Sequence, residues 1–217
     1  MSRSLRVGPG VGVFGTLVFG LASVVAAVAY SGTAAEGFSP LNHWVSELGE
    51  TGVSQLATVF NIGLIVSGLC LGIFMTALGL GRRTRWAWLY VPIGIVSGVA
   101  AAFVGIFPMN EIGPHRLAAL TFFGLGWIFV GLASLDIYRR PDSFPRWLPL
   151  VGALTVAAFI GFLSLYLPSL TYTGTDPVDR PAISLVIALE WAVVAGIMIW
   201  VFIASWSWWR ARDGAHA

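Results

Sequence analysis

The chain has 217 residues, 57% of them hydrophobic and only 10% charged, with a mean hydropathy of +0.84. A soluble domain carries roughly 25% charged residues, so this composition excludes a water-soluble globule and points to an integral membrane protein. The net charge is only +2, and all twelve basic residues are arginine; a chain without lysine has no Walker-type phosphate loop, and nothing in it reads as a nucleic-acid surface.

Six apolar runs, at about 11–31, 55–80, 86–107, 115–138, 147–168 and 182–208, reach the roughly 20 residues that a membrane-crossing helix needs. The expected fold is therefore all-α: a six-helix polytopic bundle, one domain over residues 1–217, with a short amphipathic or re-entrant helix after the first span. Arg3 and Arg6 precede the first run, and Ala27-Val28-Ala29 resembles a cleavage site. The run is nonetheless longer than the 7–15 residues of a signal core, roughly, and is read as a retained anchor. Between the first and second runs lies Ser39-Pro40-Leu41-Asn42-His43-Trp44-Val45-Ser46-Glu47-Leu48-Gly49-Glu50. Ser39 suits an N-cap, Pro40 a first helical position, and Gly49 a helix end. This spacing predicts a helix with His43, Ser46, Glu47 and Glu50 on one face and Leu41, Trp44, Val45 and Leu48 beside it. Such a helix lies on the membrane surface or closes the mouth of the bundle.

Further along, Asn61 falls inside the second run, where an interhelical hydrogen bond is the expected use of its amide. Cys70, the one cysteine, sits in the same apolar run and allows no intramolecular disulfide. Gly94 and Gly98 form a small-xxx-small pair suited to close helix packing. Ten of the twelve arginines flank the N-terminus, the second-to-third connection, the fourth-to-fifth connection and the C-terminus; Arg116 and Arg180 are the other two. The positive-inside bias then puts both termini in the cytoplasm of a plasma-membrane protein. Trp86, Trp88, Trp147, Trp206, Trp208 and Trp209 accompany those arginines and read as interfacial anchors.

The remaining connections collect on the outer side. They hold Glu36, His43, Glu47, Glu50, Glu111, Asp176 and Asp179, with His115 and Arg116 opening the fourth span; His216 lies apart in the tail. Glu190 falls within the sixth run, where a carboxylate costs at least ~2.5 kcal/mol and calls for a partner or a cavity. Arg180, Arg116 or a histidine is the expected partner. These placements define a candidate site of His43, Ser46, Glu47, Asn61, His115 and Glu190.

Three chemistries fit such a set. The first is binding of a lipid headgroup, a small molecule or a membrane partner. The second is a membrane-embedded hydrolase or acyl transferase drawing on Ser46, Glu47, His115 and Glu190. In it His43 and Glu47 at i, i+4 could hold zinc with His115, or Ser46 could pair with a histidine base. The third is a transporter or proton relay using Glu190. A structural reading stands beside them, in which Glu190 makes an ion pair that locks the sixth helix or stays protonated, and the lip is an amphipathic cap with a solvated acidic face.

The motifs Pro40-Leu41-Asn42-His43-Trp44-Val45-Ser46-Glu47-Leu48-Gly49, Phe60-Asn61-Ile62-Gly63-Leu64 and Gly105-Ile106-Phe107-Pro108 with His115 resemble the prokaryotic six-span family catalogued as domain of unknown function 998. The resemblance covers about residues 10–208 and implies the six-span fold without assigning an activity. A more remote likeness to eukaryotic DRAM/Frag-type six-span proteins implies a link to lipid or GPI-anchor handling.

Overall fold

Each apolar run folds as one helix: α1 (Arg3–Ala29), α2 (Ala57–Arg82), α3 (Ala87–Ile106), α4 (Ile112–Arg139), α5 (Leu148–Ser169) and α6 (Leu185–Asp213). The computed structural model describes residues 3–33, 35–170 and 181–213, so Asp176, Asp179, Arg180 and His216 lie outside the described residues. Among the described residues, six helices are long and apolar enough to cross a membrane. Large apolar side chains such as Leu21, Val28, Leu117, Leu150 and Leu154 point outward and are exposed. In water that belt would be a liability; in a bilayer it is the ordinary surface of a spanning helix, whose backbone groups are satisfied internally. The fold is all-α and the protein is a multi-pass membrane protein.

Every helix packs on its neighbours in sequence, and α6 returns to α1, so the six close a ring. Glycines set how closely the backbones approach. At Gly98 an added Cβ would lie 2.6 Å from Gly68 O and 2.8 Å from Gly72 N, so α2 and α3 touch backbone to backbone. Gly94, its small-xxx-small partner, receives Met75. Both glycines thus serve packing within the chain.

The ring has two unlike ends. At one, the α2–α3 and α4–α5 turns meet, and an ion-pair cluster joins them. Arg82 Nε lies 3.0 Å from Asp136 Oδ2 and Arg82 Nη1 lies 3.0 Å from Asp142 Oδ2. Arg82 Nη2 donates to the carbonyls of Asp136 and Arg140 at 2.9 and 2.7 Å, and Tyr90 OH donates to Asp136 Oδ2 at 3.2 Å. Tryptophans accompany the arginines at this end: Trp88 and Trp147 are exposed, and Trp86 lies 4.9 Å from the Arg139 guanidinium. A core of Phe74, Tyr90, Phe129, Phe159 and Trp200, each fully buried, fills the ring between this end and its middle.

At the other end lies the long α1–α2 connection, residues 30–56. The helix expected over 39–50 does not form as such. The backbone makes one turn closed by His43 N–H to Ser39 O at 2.9 Å, then extends at Trp44 and winds into a 3₁₀ helix, Val45–Gly49. The segment does not lie on a membrane surface either. Val45 and Leu48 are buried with Phe19, Ala26, Tyr30 and Phe60, so it is tucked into the mouth of the ring.

Candidate functional site

What turns the segment inward is the capture of its backbone by two carboxylates. The Trp44 and Val45 N–H groups open the 3₁₀ helix and have no partner within it. Glu47 reaches back to accept from Trp44 N at 2.9 Å. Glu190, in the second turn of α6, accepts from Val45 N at 2.9 Å across 145 residues of sequence. Trp191, the next residue, donates its indole N–H to His43 O at 2.9 Å, so α6 grips the segment at two consecutive positions. From α2, Asn61 Nδ2 donates to Gly49 O at 2.9 Å and fixes the far end. The rim is tied as well: Asn110 exchanges two hydrogen bonds with the Thr51 backbone, and Ser184 N–H donates to Leu41 O.

His43 and Glu47, expected on a polar face, are instead 2% and 3% exposed. The His43 ring sits between Tyr30 and Phe38 at centroid distances of 5.4 and 5.2 Å, with Nδ1 2.7 Å from Asn42 Oδ1. Glu47 Oε2 also lies 3.4 Å from Tyr30 OH. These residues hold the segment together more than they present it to a ligand.

Ser46, His115 and Glu190 do come together, lining with Ser67 of α2 one cavity of about 100 Å³ inside the ring. The rest of its wall is largely apolar: Phe19 from α1, Leu64 and Leu71 from α2, Val104 from α3, Phe122 and Phe123 from α4, Val194 and Ile197 from α6. His115 Nδ1 lies 2.8 Å from Phe107 O. A carbonyl only accepts, so Nδ1 carries the proton, and in the neutral ring Nε2 is the acceptor. Glu190 is 7% exposed, and only its Oε2 is engaged; among the described residues Oε1 has no hydrogen-bond partner.

Two expectations are corrected. Glu190 does not form an ion pair with Arg116, which is exposed; a backbone amide takes that place. Among the described residues no histidine bonds to it either, and Arg180, the other expected partner, lies outside them. Nor do His43, Glu47 and His115 converge: among the described residues no three His, Cys, Asp or Glu side chains are grouped to hold a metal ion. His43 faces its aromatic neighbours while His115 turns to the cavity and to Phe107.

The sequence reading also missed partners. Phe38 and Trp191 around His43 look like ordinary apolar residues in the sequence, and no spacing rule marks them. The Arg82–Asp136–Tyr90 cluster did leave a signal, since Asp136 is an acid at the end of an apolar run and such a group demands a partner.

Comparison with known proteins agrees on the fold and leaves the chemistry open. An uncharacterised MFS-type transporter of Mycobacterium tuberculosis (strain ATCC 25618 / H37Rv) is 27% identical over 112 residues, 50% of this chain. This chain spans only 17% of that protein's length. No solved structure matches the chain. The family model described as "Protein of unknown function (DUF998)" matches residues 18–207, nearly the whole helical ring. The chain belongs to the DUF998 family.

Proposed function

We propose that this protein binds an amphipathic small molecule or lipid of the membrane in the central cavity, with the ligand's polar group at Ser46, His115 and Glu190. The observation that carries this reading is a largely apolar cavity whose lining includes Ser46, His115 and the buried Glu190, one oxygen of which has no hydrogen-bond partner among the described residues. Apolar walls with a few converging polar groups are what a small-molecule site requires. The 3₁₀ segment lies across the mouth, and by the distribution of arginines that mouth faces outward from the plasma membrane, with both termini cytoplasmic.

Native mass spectrometry of the protein released from its own membranes tests this. A bound amphiphile is expected on the wild type and absent from Val194→Phe, which fills the cavity. Equal occupancy of both proteins would overturn the reading.

A transporter using the same cavity is the second reading. It is favoured by the partial similarity to a protein named as an MFS-type transporter and by a carboxylate at depth. In proteoliposomes it predicts ligand flux that Glu190→Gln abolishes; binding without flux would leave the first reading alone.

A further inference from the structure

Given that the cavity is a binding site, the proposal above on which this step rests, its chemistry selects the charge of the occupant. Three facts bear on the polar end. Glu190 Oε2 is held by the Val45 amide while Oε1 has no partner among the described residues. His115 commits its Nδ1 proton to Phe107 O, which leaves the ring an acceptor. Among the described residues that line the cavity, none is an arginine. Among the described residues of the lining, Glu190 and His115 therefore offer acceptors, and the hydroxyls of Ser46 and Ser67 are the donors.

An anionic head placed there would meet no cation among the described lining residues, inside apolar walls where an uncompensated charge is most costly. A neutral hydroxyl would satisfy one acceptor. A protonated amine would satisfy Glu190 Oε1 with a charge-assisted hydrogen bond and still have N–H groups for a second acceptor. The apolar part extends along α6 from Glu190 through Val194 to Ile197. At 1.5 Å per residue that is about 10 Å, the reach of a medium-length alkyl chain. From the unengaged Glu190 oxygen at the end of this apolar cavity we infer that the ligand is a cationic amphiphile, a primary ammonium on a single alkyl chain.

The test uses the full chain in zwitterionic nanodiscs at neutral pH and three probes with the same tail: octylammonium, octanol and octanoate. Octylammonium is expected to bind at least about tenfold more tightly than octanol, a clear separation on the affinity scale, and octanoate to show no saturable binding. In Glu190→Gln the advantage of the amine over octanol disappears. Octanol or octanoate binding as well as the amine to wild type would overturn the charge inference and leave the cavity reading standing. No saturable binding of any probe would overturn both. The ranking on wild type decides the matter even where Glu190→Gln fails to fold, and Glu190→Asp, which keeps the charge, is expected to keep the amine preference.

Discussion

Glu47 and Glu190 are both carboxylates buried at the mouth of the ring, and their bonds give them different work. Glu47 accepts from Trp44 N through one oxygen and lies near Tyr30 OH with the other, so its task is to hold the turn. Glu190 accepts from Val45 N through one oxygen and also lines the cavity. Glu47→Leu leaves the Trp44 N–H without its acceptor, and a buried unsatisfied group costs about 1–3 kcal/mol. Glu190→Gln keeps a carbonyl oxygen for the Val45 N–H. Thermal unfolding in detergent is therefore expected to show a lower midpoint for Glu47→Leu than for Glu190→Gln; the reverse order would mean that the roles are exchanged. Much of this was hidden from the sequence. Grouping His43, Ser46, Glu47 and Glu50 assumed a 3.6-residue period, and the backbone instead extends at Trp44, which turns His43 away from Ser46. The bond between Glu190 and Val45 joins residues 145 positions apart, beyond any local period. What was legible is that a glutamate inside an apolar run must meet something polar.

Between helices, two devices set the ring: backbone contact at glycines, and one buried charge cluster. Gly98 lies against Gly68 O and Gly72 N, backbone atoms that cannot turn aside, whereas nothing lies within 4 Å of a Cβ added at Gly124. Alanine at Gly98 should force α2 and α3 apart and lower the unfolding midpoint by several degrees. Alanine at Gly124 should leave stability unchanged or raise it, since glycine costs a helix about 1 kcal/mol relative to alanine. Equal effects at the two positions, in a side-by-side melting experiment, would contradict the backbone contact. The charge cluster behaves differently. Arg82 and Asp136 side chains are 5% and 2% exposed, so removing one partner strands the other in a dry interior. Arg82→Met is expected to cost about 3–5 kcal/mol, and adding Asp136→Leu to recover much of that loss. A double variant no more stable than the single one would show that the arginine's bonds to the carbonyls of Asp136 and Arg140 matter more than its charge.

For the molecule as a whole, six helices were legible because a bilayer leaves a chain few choices. Each crossing must satisfy its own backbone groups, so an apolar run of about 20 residues has to be a helix. The first run begins earlier as α1 than its apolar stretch suggests, and the fourth as α4 at Ile112, because a helix continues into the interface where polar residues are solvated. The long connection 30–56 escaped that logic: its His43 and Glu47 are buried in the mouth of the ring, and composition alone cannot distinguish a surface segment from a plug. The direction proposed for the molecule rests on arginine placement, since the Arg82–Asp136 end carries the arginine-rich turns and the 3₁₀ end does not. In a Cys70→Ser background, Glu111→Cys and Arg140→Cys place single exposed thiols at opposite ends of α4. A membrane-impermeant maleimide added to intact cells is expected to label Glu111→Cys, and Arg140→Cys only after lysis. The opposite pattern would turn the cavity mouth to the cytoplasm and reverse the side from which a ligand arrives. Labelling of both thiols in intact cells would mean that α4 does not cross the membrane, and with it the ring of six crossings would fall.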